Sequence, residues 1–263
     1  MLAITSSDPI AERFAGLREA GRRALVAYLT AGFPDATQSV SLLRGVAAAG
    51  ADVIEVGVPF SDPMADGPVI QRASQVALGG GVGLPATLRI IREAQLSVPV
   101  VLFTYLNPRL AAGPTALAQA RASGVHGVLV TDLPLGVDPA REAWLTASGM
   151  SFVRLVAPTT PLERMRAIAQ HGGGFVYLIS RLGVTGMRAD VPDDLAETIA
   201  RLRSVTALPI CVGFGISTPA QAAAVGRLAD GVVVGSALVR AAESSVQAAV
   251  DLTGELRAAL DRA

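Results

Sequence analysis

The chain has 263 residues, 51% of them hydrophobic, and a formal net charge of zero. That length buries a full core and suits one α/β barrel domain over residues 1–263 rather than two domains, while the balanced charge gives no electrostatic reason to expect nucleic acid or an anionic membrane. All 22 basic residues are arginine, so no lysine side chain is available for a Schiff base, and amine-based covalent aldol chemistry is excluded.

Residues 1–14 contain acids and no long apolar block, unlike a secretory signal. No apolar run is long enough to span a bilayer. The first predicted element is a helix over 9–20, with Ile10, Phe14 and Leu17 at helical spacing and Gly21 as a stop. A unit then repeats: a short apolar strand, a polar or glycine-rich loop, an amphipathic helix. Strands are predicted at 24–30, 52–58, 98–104, 127–132, 151–157, 175–180, 209–213 and 231–235. Helices are predicted between them at 37–49, 85–95, 115–123, 139–148, 161–170, 192–204 and 219–226, with 244–261 closing the chain. Several start at proline and several end at glycine, as helix termini favour. Strand and helix alternating in this way predict a TIM (β/α)8 barrel with an extra N-terminal helix. An open doubly wound sheet is the alternative.

Such barrels place their chemistry where the strands end. Strand 52–58 alternates Ile54, Val56 and Val58 on one face with Val53, Glu55 and Gly57 on the other. A lone buried carboxylate needs a partner or a purpose. Glu55 is therefore a candidate proton-transfer group, or else a structural acid paired with arginine. Asp66 lies on the proline-broken loop that follows. It is either the second acid of a pair or an ordinary Asp-Gly turn residue. Three late loops carry glycine where backbone must approach something: Gly183 and Gly186, Gly213 and Gly215, and Gly235 with Ser236. Together with a short helix from Ser236, they match the phosphate site of this architecture; singly, each reads as a tight turn.

The excursions after strands 52–58 and 175–180 are long for such loops, and are either lids or variable surface. Tyr177 shares a face with Phe175 and Ile179, as a cavity or a core residue. The two histidines, His126 and His171, each precede a strand, which argues against a metal site. The single cysteine, Cys211, reads as core and fits a reducing cytoplasm.

The run 55–71 resembles the signature of the tryptophan synthase α chain family, as do 28–34, 157–161, 180–186 and 212–216 in the same order. The resemblance covers about Arg13 to Leu260. It implies a barrel that cleaves indole-3-glycerol phosphate to indole and glyceraldehyde 3-phosphate. It implies Glu55 and Asp66 as catalytic acids, and Tyr28, Thr30, Leu102, Tyr105, Tyr177, Thr185 and Phe214 around the substrate. Tyr28 often matches a phenylalanine in the family. Phosphate contacts are implied at Gly186, Gly215, Gly235 and Ser236. No cofactor or metal is implied in this chain; pyridoxal phosphate is expected in a β-chain partner that receives indole and meets the loop 59–66. The sequence departs from the family after Pro134, where Leu135 to Asp138 replace a further proline and acids. A stand-alone indole-releasing lyase, a sugar-phosphate isomerase and a non-catalytic activator subunit remain alternatives.

Overall fold

The computed structural model describes residues 8–111, 113–179, 193–213 and 215–263. Nine parallel strands are described: β1 Ala24–Thr30, β2 Val53–Gly57, β3 Val100–Thr104, β4 Gly127–Val130, β5 Ser151–Phe152, β6 Arg154–Val156, β7 Val176–Ile179, β8 Ile210–Gly213 and β9 Gly231–Val234. They follow the order β5-β4-β3-β2-β1-β9-β8-β7-β6. The two ends of that series are one stretch of chain interrupted at Val153. β5 bonds to β4 and β6 bonds to β7, and the Val153 amide reaches the Val128 carbonyl at 2.9 Å. The predicted strand 151–157 therefore closes the barrel while changing partners part-way along.

The barrel has two apolar layers, as alternation along each strand requires. Ile54, Val56, Leu102, Val128, Leu178, Val212 and Val232 point outward into the layer between sheet and helices. Val26, Val53, Val101, Leu129, Val153, Phe175 and Cys211 point inward. Helix α1, Pro9–Glu19, plugs the end where the strands begin: its Ile10, Phe14 and Leu17 belong to the inner layer. Phe14 packs on Phe175 with ring centroids 5.6 Å apart. Asp8 caps α1 by accepting from the Ile10 amide at 3.0 Å, and its second oxygen accepts from Ser151 Oγ at 2.6 Å.

That floor is also tied electrostatically. Asp52, almost fully buried, accepts from Arg13 Nη2 at 2.7 Å, Arg257 Nη1 at 2.8 Å and the Leu25 amide at 2.8 Å. Half-buried His126 likewise serves structure here, its Nδ1 accepting from the Val100 amide at 3.1 Å.

The remaining helices are α2 Ala36–Ala48, α3 Pro68–Gly79, α4 Leu84–Ala94, α5 Leu106–Ala111, α6 Ala116–Ala122, α7 Pro139–Thr146, α8 Leu162–Gln170, α9 Asp193–Arg203, α10 Pro219–Gly226, α11 Ser236–Ser244 and α12 Val246–Leu260. Two were not expected. The excursion after β2 contains α3, which begins on Pro68 at its first turn, where a missing N–H costs nothing. After β3, α5 starts at Leu106, whose amide is taken by Asp132 Oδ1 at 2.7 Å. The predicted closing helix 244–261 is α12, separated from α11 only by Ser245, whose side chain caps α12 at the Ala248 amide. Among the described residues, no helix is long and apolar enough to cross a membrane.

Candidate active site

Glu55 points into the barrel from β2, as the alternation of that strand predicts. Its side chain is 0% exposed, and neither carboxylate oxygen has a hydrogen-bond partner among the described residues. Among the described residues no arginine pairs with it. Burial alone pushes its pKa from 4.5 up to about 8, because the charged form loses water and gains nothing in exchange. Glu55 is therefore mostly protonated at neutral pH.

Asp66 returns toward the same mouth on the loop between β2 and α3. The turn is closed by its own amide on the Pro63 carbonyl at 3.0 Å, and by Gln71 Nε2 on the Asp66 carbonyl at 2.8 Å. Tyr105, just past the end of β3, anchors the loop. Its hydroxyl donates to Asp66 Oδ2 at 3.2 Å and accepts from the Ala65 amide at 2.9 Å. Phe60 stacks on the Tyr105 ring with centroids 5.1 Å apart. Partial burial raises the Asp66 pKa to about 6, with the Tyr105 hydrogen bond pulling the other way. At neutral pH this acid is mostly ionised.

Two phenols face inward beside Glu55. Tyr28 on β1 is the register partner of Glu55, and Tyr177 stands on β7. Each hydroxyl lies over a glycine: a Cβ at Gly57 would collide with the Tyr28 hydroxyl, and a Cβ at Gly213 with that of Tyr177. These glycines are needed for the close approach of a side chain, not for a turn. Both phenols are pushed above their ordinary pKa, first by burial and further by the charges of Glu55 and Asp66. The two acids thus act on the same two hydroxyls. Thr30, two residues beyond Tyr28 on the same face, lies at the mouth and is buried.

Leu102 does not face inward. It pairs in register with Val56 and Val128 and packs with them against the helices. Its neighbour Phe103 faces inward instead, edge-on to Tyr28 at 5.1 Å between centroids and 78° between planes. Counting back two from Tyr105 along the strand would have found it. Gly215 follows β8, and Gly235 immediately precedes α11, which starts at Ser236. β8 and β9 are neighbours, so Gly215 and the start of α11 follow adjacent strands; the first amides of α11 have no carbonyl within the helix to bond to. Thr185, Gly186 and Phe214, with the loop 180–192, lie outside the described residues. Cys211 is free and fully buried, and His171 is exposed. Among the described residues, no group of three or more His, Cys, Asp or Glu side chains is placed to hold a metal ion.

A family model described as tryptophan synthase alpha chain matches residues 14–261. The chain belongs to the tryptophan synthase alpha chain family. The tryptophan synthase alpha chain of Caulobacter sp. (strain K31) is 47% identical over 247 residues, covering 92% of this chain and 90% of that one. That of Gluconacetobacter diazotrophicus is 46% identical over 243 residues, covering 91% and 89%. Among solved structures, the alpha subunit of Legionella pneumophila str. Paris superposes with a TM-score of 0.90 at 34% identity, covering 98% of this chain and 100% of that one. The aminoacrylate-bound tryptophan synthase of M. tuberculosis gives 0.87 at 35% identity, covering 97% and 100%. Membership in the tryptophan synthase alpha chain family fits the barrel.

Proposed function

We propose that Glu55 and Asp66 carry out the retro-aldol cleavage of indole-3-glycerol phosphate to indole and glyceraldehyde 3-phosphate. As a tryptophan synthase alpha chain, this protein is the lyase subunit for that reaction. The supporting observation is the split between the two acids. One sits near pKa 8 and the other near 6, and both act on the Tyr28 and Tyr177 hydroxyls, so at neutral pH one can give a proton and the other can balance a positive charge.

Glu55 protonates the indole carbon that bears the side chain. The ring nitrogen becomes positive, and the Asp66 carboxylate accepts a hydrogen bond from its N–H. Glu55, now ionised, takes the proton from the adjacent glycerol hydroxyl. The carbonyl forms, the carbon–carbon bond breaks, and its electron pair returns to the ring as indole leaves. Glu55 ends with the proton count it started with. The absence of lysine fits this route, which needs no amine, and we place no cofactor in this chain.

The phosphate is assigned to the amides of Ser236 and its successors at the start of α11, with Gly215 and Gly235 beside them, an arrangement suited to an anion. Gly186 is assigned to the same cradle. Tyr28, Thr30, Phe103, Tyr105 and Tyr177 are assigned to the substrate's walls, with Thr185 and Phe214.

The partner is the tryptophan synthase β chain, which carries any pyridoxal phosphate. Its docking surface is assigned to the strand-end loops, where the two most exposed large apolar residues among those described are found. These are Met64 after β2, 85% exposed, and Val137 after β4, 68% exposed. A biosynthetic reaction of this kind, in a chain with one cysteine, supports a cytoplasmic location.

The test is indole release from indole-3-glycerol phosphate, with and without a β chain. Glu55→Gln is expected to lose about 10²–10⁴-fold in turnover while still binding a glycerol phosphate ligand. Normal turnover by that variant overturns the assignment.

A further inference from the structure

We propose that Tyr28 is a positioning residue: its hydroxyl, which fills the space left by Gly57 one inward step beyond Glu55, supplies the hydrogen bond that Glu55 takes up when it ionises. The proposal rests on the roles assigned to Glu55 and Asp66 and adds how the ionised state of Glu55 is sustained.

The geometry begins with register. Tyr28 and Glu55 are direct partners across β1 and β2, and both face inward. The next inward residue on β2 is Gly57, whose missing side chain leaves the space that the Tyr28 hydroxyl fills. That hydroxyl therefore lies one inward step beyond Glu55, toward the mouth to which the Asp66 loop returns. Asp66 and Glu55 both act on the phenol, Asp66 the more strongly, and the Thr30 side chain is its other polar neighbour.

The surroundings leave Glu55 few alternatives. The titratable groups that act on this cluster are Tyr28 on β1, Tyr177 on β7, Cys211 on β8, and Asp66 and Tyr105 at the mouth. Asp52 and Asp230 reach Cys211 from below. No arginine or histidine is among them. Among the described residues, a carboxylate formed here has no cation to pair with, and an unpaired buried charge is costly. It must take hydrogen bonds from neutral donors. Both phenols stay protonated, so they can donate. Tyr28 is the one whose hydroxyl also answers more strongly to Asp66, and so it couples the two acids. In the resting site neither Glu55 oxygen has a hydrogen-bond partner among the described residues, so the bond from Tyr28 is one that forms as Glu55 ionises.

The experiment uses Tyr28→Phe, which keeps the ring packed on Phe103 and removes only the hydroxyl. The infrared band of the protonated Glu55 carboxyl, identified by its loss in Glu55→Gln, is titrated in ligand-free protein. The expected result is a midpoint about one pKa unit above that of the parent chain. Loss of one hydrogen bond to a charged group should also lower kcat about tenfold, with KM little changed. An unmoved midpoint overturns the proposal, as does a shift produced by Tyr177→Phe and not by Tyr28→Phe. The titration needs no turnover, so a failure of the catalytic assignment itself, seen as cleavage by Glu55→Gln, is read separately.

Discussion

The Tyr105 hydroxyl holds Asp66 over the mouth of the barrel, donating to its Oδ2 at 3.2 Å while accepting the Ala65 amide at 2.9 Å. One side chain thus fixes both the loop and the acid it carries.

Tyr105→Phe should move the pH profile in a definite direction. The hydrogen bond from Tyr105 lowers the Asp66 pKa against the rise caused by burial, leaving it near 6. Removing it raises that pKa further. If the ionised form of Asp66 is required, the acidic limb of kcat/KM shifts to higher pH, by about one unit. KM should rise as well, because the loop loses its anchor. A limb that stays in place would separate Asp66 from the chemistry.

Glu55→Gln should stabilise the fold, and more so in alkali. A carboxyl whose folded pKa lies above its unfolded value leaves stability intact below the unfolded value, here 4.5, and drains it as pH rises through the folded value, here about 8. At about 1.4 kcal/mol per unit the full cost is a few kcal/mol. The melting temperature of the variant should match the parent near pH 5 and exceed it by roughly 5–10 °C near pH 9. Thermal melts across that range give the comparison. An equal gap at both ends would mean that Glu55 is not buried as an acid.

Ser236→Asp tests the anion cradle without damaging its helix. An acidic side chain at the first position of α11 favours the helix dipole but repels a phosphate at the same amides. We expect KM for indole-3-glycerol phosphate to rise about tenfold or more, with the melting temperature unchanged or slightly higher, given that such charge effects are worth about 1 kcal/mol or more when partly buried. Steady-state kinetics beside a thermal melt would show it. An unchanged KM removes the phosphate from this end of the barrel.

The floor should matter for stability and not for chemistry. Asp52→Asn leaves Arg257 buried without its full partner, and breaking a buried ion pair costs about 3–5 kcal/mol. Denaturant unfolding should report that loss, while kcat of the folded protein stays at the parent value because Asp52 lies at the opposite end of the strands from Asp66. A fall in kcat at full folding would contradict this division.

Strand parity explains most of what could be read in advance. On β2 the alternation of aliphatic and odd residues was unambiguous, so Glu55 was placed inward from the sequence. On β3 every residue from Val100 to Phe103 is apolar, so Leu102 rests on the family resemblance alone, whereas parity counted from Tyr105 selects Phe103. Helix α3 was hidden because Pro63, Gly67 and Pro68 look like loop chemistry, although Pro68 occupies the one turn where proline is welcome. The bond from Tyr105 to Asp66 spans 39 residues and has no local signature. Nor does the change of partners at Val153, since nothing in that residue's type marks a break in pairing.

Asp52 draws on Arg13, 39 residues earlier, and on Arg257, 205 residues later. A chain under synthesis therefore carries this acid with only part of its complement until α12 has left the ribosome. The lower rim of the barrel locks late, and only then do the first and last helices become neighbours held by a single carboxylate.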